Sequence, residues 1–306
     1  MDGHARREGK VRERIVGMEA HVTAAEVRQR ILLLREIPPM PLIAQKILCM
    51  SPDADITELA ETIEKAPDIA ARLLGMANAA YFGWPGGVRT IYDAIHKVLG
   101  IKLVKSFVMG LAFSEVFEVK KCSGFRADQF WFSAMVTAQI SQSLLPALDS
   151  SLRQEIDNIH LNGLLHNLGV TVLAHLFPAE LSRAFSLPFD EENPSVSDKI
   201  RTVLGMDQAQ AGGWLARKWH LPRDIVCVME HHKQPDYRGD FWPIVLLVGY
   251  AERQAVRLFS EGAAAREPEF ESLLGIGEPV LEKMYLTLDG QLEDLHTMAA
   301  LMATGE

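Results

Sequence analysis

The chain has 306 residues, 48% hydrophobic and 23% charged, enough apolar content for one large or two medium globular domains. Its formal net charge of −9 argues against general affinity for nucleic-acid backbones, whose binders carry a basic face that releases counterions. No run approaches the roughly 18 apolar residues that cross a bilayer, and MDGHARREGKVRER has charges with no apolar stretch behind them, so the chain reads as cytoplasmic, without membrane span or secretory leader.

Residues 1–25 read as a solvated arm, whose ARREGKVRER is the one basic run that could favour nucleic acid. From Ala24, Val27, Ile31 and Leu34 recur at helical spacing up to PPMP at 38–41. Pro41 suits a first helical turn, where its missing N–H costs nothing, and Ile43, Ile47 and Leu48 carry the apolar face that follows. After the break SPDAD, Asp55 with Glu58 fits a cap for a helix through Ile63. Pro67 opens another, with Ile69, Ala70, Leu73, Leu74 and Ala77 inward. Pro85, Gly86 and Gly87 make a turn, in front of which Asn78 is expected to tie the helix end through its side chain. Thr90 precedes a helix carrying Ile91, Ala94, Ile95 and Val98, and Ile101–Val116 is a longer apolar one.

KKCSGFRAD, 120–128, is the polar break between two lobes, about 26–119 and 128–236. Beyond it the spacing predicts helices over Asp128–Leu145, Ser151–Ala174 with a bend near Gly169, and Ala179–Phe185. An acidic loop at 188–198 separates these from helices through Leu204, over Asp207–Trp219 and over Arg223–His231. Residues 237–306 read as a helical extension packing on the second lobe, with helices at Trp242–Leu258, Glu278–Leu286 and Leu292–Met302. Sustained period-two alternation is missing, so the fold is expected to be all-α, a two-lobed helical bundle. Cys49, Cys122 and Cys227 are odd in number and far apart, which suggests buried thiols rather than a zinc cluster or disulfides.

The chemistry-bearing candidates are histidines. In GLLHNLG, His166 is followed by Asn167, where a metal-gripping pair would have a carboxylate; a neutral amide supplies no charge to a cation. His231 and His232 are adjacent, and neighbours on a helix point about 100° apart, so one buried and one solvated ring is the expected arrangement. No nucleophile elbow and no phosphate loop occur, and GWPGG is a turn. Tyr81, Phe82 and Trp84 beside it are candidates either for closing the seam between lobes or for anchoring a partner.

Four passages together resemble the HDOD family, the HD-related output domain of bacterial signalling proteins, itself similar to the HD and HD-GYP phosphohydrolases: IPPMPLIAQKIL; APDIAARLLGMANAAYFG with IYDAIHKVLGIKLVKSFV; GLLHNLGVTVL; and WLARKWHLPRDIVCVMEHH. The likeness runs from about Arg30 to Pro235. It implies an HD-domain-like architecture with a module over 26–236 and a cleft that, in active relatives, binds metal through an early histidine, a His-Asp pair, later histidines and a distal aspartate. Carried onto this chain, those positions are Phe132, His166 with Asn167, His231 and His232, and Glu252. An apolar ring and an amide in place of two ligands imply a vestigial cleft with no catalytic residue, no metal and no cofactor. The expected role is a regulatory module acting through a signalling protein partner, with a small ligand in the degenerate cleft as a further option. The alternative is a metal-dependent phosphohydrolase with an atypical set, His160, His166, His231, His232 and Glu252.

Overall fold

The computed structural model describes residues 36–51, 54–79, 85–154, 156–190, 195–261 and 266–303. The basic arm, the expected helix with Val27, Ile31 and Leu34, and the aromatics Tyr81, Phe82 and Trp84 lie outside the described residues. All regular structure among the described residues is helical, and no helix there is long and apolar enough to cross a membrane.

The first half is built as its punctuation predicts. Helix α1 (Leu42–Cys49) begins after Pro41. Helix α2 (Ile56–Glu64) is capped by Asp55, whose carboxylate accepts from Glu58 N at 2.8 Å. Pro67 occupies the first turn of α3 (Pro67–Ala77). Thr90 caps α4 (Ile91–Asp93) by accepting from Asp93 N at 3.0 Å, and the chain continues through a wider π-helical turn, Ala94–Leu99, into α5 (Gly100–Ser114).

Asn78 ties the end of α3 as expected. Its Nδ2 donates to Leu74 O at 2.9 Å and Val88 O at 3.0 Å, and its Oδ1 accepts from Val88 N at 2.7 Å. The facing Gly87 has φ +66, and a Cβ there would stand 2.9 Å from Asn78 Oδ1, so the clamp needs glycine opposite it. Replacing Asn78 with Ala strands the Val88 amide and carbonyl, and urea unfolding is expected to show a loss of about 2 kcal/mol.

The second half runs through α6 (Ala127–Leu144), α7 (Ser150–Arg153), α8 (Ile159–Leu165), α9 (Gly169–Leu176), α10 (Pro178–Ser186), α11 (Val196–Leu204), α12 (Gln208–Lys218) and α13 (Arg223–His231). The chain beyond the family-like region adds α14 (Trp242–Glu261), α15 (Pro268–Leu274), α16 (Glu278–Asp289) and α17 (Leu292–Ala303). The hub is α6, which packs against α8, α14, α16 and α17. Surrounded in this way, it buries residues on most sides, from Trp131 and Ala134 to Ser141 and Leu144.

The continuous helix expected over Ser151–Ala174 is in fact three pieces. Asn158 takes a left-handed φ of 50°, stopping any helix that approaches it, while Asp157 accepts from Asn158 N at 3.0 Å and Lys102 Nζ at 2.6 Å. The second break, His166–Leu168, lies just before the predicted bend. The expectation of three buried thiols is also corrected: Cys122 is buried, Cys227 half-buried and Cys49 exposed, because Cys49 ends α1.

The two halves share one continuous apolar core. Trp219, at the end of α12, is stitched into the seam: its Nε1 donates to Pro38 O at 2.9 Å and its ring lies 4.7 Å from that of Phe113. The preceding Lys218 donates to Ile37 O at 2.7 Å. At the other end of the chain, α17 lies against α6 and also reaches α3 and α5 of the first half.

Candidate functional site

Three close backbone approaches assemble the site. Gly163 brings α8 onto α6, where a Cβ would stand 2.6 Å from Ala138 Cα. Gly169 lets α9 touch α12, with a would-be Cβ 1.9 Å from Gln208 O. Gly249 lets α14 meet the end of α13, with a would-be Cβ 2.2 Å from His232 O. No other residue is small enough at these contacts, and they bring the ends of α8 and α13 together beside the middle of α14.

His166, His232 and Glu252 converge there. They are 2%, 2% and 4% exposed, and one ligating atom from each lies within 4.8 Å of the others, the one such group among the described residues. His166 Nε2 is 3.6 Å from Glu252 Oε1, and His232 Nε2 is 3.8 Å from Glu252 Oε2. The two rings meet edge to face, with centroids 5.1 Å apart.

The far nitrogens decide the tautomers. His166 Nδ1 lies 2.7 Å from Gly163 O, and His232 Nδ1 2.8 Å from Val228 O. A carbonyl only accepts, so each Nδ1 carries a proton and donates it. Burial pushes the His232 imidazole down to about 3, so that ring is neutral and its Nε2 is a bare lone pair. Both Nε2 atoms and Glu252 Oε2 are buried without a hydrogen-bond partner. Burial alone would raise the Glu252 carboxyl, but the Lys233 ammonium, 2.6 Å from Oε1, leads the charges that hold it well below the usual carboxylate range.

The other expected positions separate. His231 turns away: its ring stacks on Tyr237 at 4.3 Å and its Nδ1 meets Gln234 Oε1 at 3.2 Å, with a quarter of the side chain exposed. The adjacent histidines thus split into one buried and one solvated ring, and His231 does not join the cluster with His232. Phe132 packs its ring against Phe259 and His296, with centroids 5.0 and 5.1 Å away. Phe259 lies two turns beyond Glu252 on α14, so Phe132 borders this face as an apolar wall. Asn167 is partly buried and its Oδ1 has no hydrogen-bond partner. His160 is held by Ser106 Oγ at 2.8 Å and lines a small pocket with Phe107, Gln139 and Met298; burial pushes it down to about 4.

Lys233, Gly163 and Gly249 escaped the sequence reading. Lys233 sits between a histidine pair and a polar loop, where a lysine reads as solvated surface, and its partner is 19 residues away. A further polar contact ties α8 to α13: Asn162 Nδ2, one turn before His166, donates to Asp224 Oδ2 at 2.9 Å.

In number and kind, two imidazole nitrogens and one carboxylate match the donors of a single borderline divalent ion such as zinc. They do not match a two-metal hydrolytic centre, which needs further ligands and an open position for water and substrate. These residues are sealed, and the carboxylate already has a cation beside it.

Comparison with known proteins gives the same frame. The model of the HDOD domain matches residues 37–235. An uncharacterized protein of Treponema pallidum (strain Nichols) is 26% identical over 254 residues, 82% of this chain and 47% of that protein, so the chain spans about half the length of that relative. A Marinobacter aquaeolei VT8 structure, described as a signal transduction protein, superposes with a TM-score of 0.76 at 23% identity, over 93% of this chain and 68% of that one. A Geobacter sulfurreducens HDOD domain protein with unknown function gives 0.66 at 18% identity, over 89% and 98%. A Shewanella amazonensis SB2B structure described as a phosphohydrolase gives 0.69 at 22% identity, over 89% and 97%. With its helical fold in place and the family's model spanning most of its described length, this chain belongs to the HDOD domain family.

Proposed function

We infer that this chain is a non-catalytic signalling module, which keeps the HD-type cluster as a closed polar knot in its core and works through contacts with a protein partner. One observation carries the reading. The three groups that could activate water are sealed at 2%, 2% and 4% exposure, and the Lys233 ammonium stands 2.6 Å from the carboxylate, supplying there the positive charge a catalytic ion would bring. A phosphodiester has no path to such a site, and a space bounded by atoms within 4.8 Å of one another suits a single atom rather than an organic ligand. The description of the Marinobacter protein as acting in signal transduction supports the signalling half. The partner half is supported by Val256 and Phe259, which stay 50% and 46% exposed on the α14 face that carries Glu252, with Phe132 beside them.

The test is hydrolysis of cyclic dinucleotides and of a generic phosphodiester by the full chain, purified without chelator and offered manganese, iron, zinc and magnesium in turn. Folded protein with no turnover above buffer is the expected result. Turnover that disappears in His166→Phe would establish the phosphohydrolase reading instead.

A further inference from the structure

His160 takes no part in the HD-type cluster and carries a polar edge into a cavity of its own. The cavity lies between four helices: Leu103 and Phe107 come from α5, Met135 and Gln139 from α6, His160 from α8, and Leu295 and Met298 from α17. Leu103, Gln139 and His160 form a half-buried rim, and Phe107, Met135, Leu295 and Met298 a buried floor. Its volume is about 20 Å³, room for a single water. Two of the floor residues are methionines, whose unbranched chains rearrange around a guest more readily than branched ones.

The proton on the imidazole can be placed. Ser106 Oγ, on a residue 1% exposed, lies 2.8 Å from His160 Nδ1 and has no other partner among the described residues. If Nδ1 held the proton, the buried hydroxyl hydrogen would have no acceptor, so the hydroxyl donates to Nδ1 and the ring carries its proton on Nε2. Burial pushes the imidazole down to about 4, so at neutral pH that is its only proton. Ser106 is not part of the cavity wall, which leaves the opposite side of the ring, with its Nε2–H, toward the cavity. That nitrogen has no hydrogen-bond partner among the described residues. Gln139 spends its Nε2 on Gln291 Oε1 at 3.1 Å. Among the described residues no charged side chain lines the cavity. A charged guest would shed water there without meeting a counter-charge. A neutral one with a hydrogen-bond acceptor satisfies the imidazole N–H and buries its apolar body against the floor.

We propose that this cavity binds a small neutral carbonyl compound, whose oxygen accepts from His160 Nε2 and whose apolar part presses on Met135, Leu295 and Met298. Leu295 and Met298 belong to α17, so a guest larger than water loosens that helix where it rests on α5 and α6. The site shares no residue with the His166, His232 and Glu252 cluster and stands whether or not that cluster is catalytic. It gives the signalling module a ligand input whose occupancy is reported at the end of the chain.

The experiment adds cyclopentanone to the full chain and follows isotope-labelled methionine methyl resonances, with circular dichroism to confirm the folding of each variant. Saturable shifts at Met135 and Met298 are expected in the wild type. His160→Phe keeps a flat ring and removes the donor, and should bind at least about fivefold more weakly. Leu295→Ala opens the floor and should bind at least about fivefold more tightly. Cyclopentylamine, a cation at neutral pH, should cause no saturable shift. Hydrogen exchange over 292–303 should rise when the ketone is bound. Absence of a saturable shift in the wild type would overturn the site. Equal affinity in His160→Phe would overturn the imidazole as its donor, and equal binding of cyclopentylamine would overturn the neutral class of ligand. Unchanged exchange at saturation would overturn the link to α17.

Discussion

Gly169→Ala is expected to destabilise the chain by at least about 3 kcal/mol in urea unfolding, and to leave it poorly folded if neighbouring helices cannot part. The added Cβ would stand 1.9 Å from Gln208 O, 2.5 Å from Gly212 N and 2.9 Å from Gln208 C, all backbone atoms of α12 or its first turn. A flexible side-chain tip could rotate away; a carbonyl inside a helix cannot, so α9 must lift off α12. That shift would be felt at His166, three residues upstream on the turn that joins α8 to α9. The matching control is Gly86→Ala, where nothing lies within 4 Å of the new Cβ and the φ of +86 is the only penalty. Its expected loss is about 1 kcal/mol. Equal losses at the two positions would mean that the α9–α12 contact relaxes and does not govern the site.

Arg72→Met is the second large effect, expected to cost about 2–4 kcal/mol and to free the end of the chain. Arg72 donates through Nε to Leu301 O at 2.8 Å and through Nη2 to Met302 O at 2.6 Å, so it caps the last turn of α17 from the first half of the molecule. It also meets Ser114 Oγ at 3.0 Å and Glu115 Oε1 at 2.6 Å, with its side chain only 12% exposed. Methionine keeps much of the stem's packing and removes every donor, so the Arg72 bonds to the two helix-end carbonyls and to Glu115 are all lost. Hydrogen exchange read over 292–303 should rise by about tenfold or more in the variant, with the core of α6 less affected. Unchanged exchange there would show that packing alone holds α17.

Much of the fold was legible because its cues are local. Pro41, Asp55, Pro67 and Thr90 begin helices by removing an N–H or by accepting one, which are properties of the residue and its next turn. Asn78 was legible for the same reason, and so was the splitting of His231 from His232, which needs only the 100° step of a helix. Ser151–Ala174 misled because its apolar residues keep helical spacing through two breaks. One break sits at Asn158, whose left-handed φ of 50° the apolar spacing does not announce, beside an Asp157–Lys102 contact that spans 55 residues.

For the site, the sequence determined the residue types: two histidines and a glutamate remain where a metal-binding cluster would draw its ligands, an amide follows the first, and an aromatic ring replaces another. Only the tertiary structure decided which of them meet. His166, His232 and Glu252 join where Gly163 lets α8 close on α6 and Gly249 lets α14 close on the end of α13, while Phe132 and His231 face other neighbours. It also decided the charge of the cluster, since Lys233 becomes the counter-ion of Glu252 only when α13 and α14 pack side by side. Local sequence sets dihedral preferences and caps over a turn or two; the electrostatics of a buried cluster depend on distances between segments, and those exist only once the core has closed.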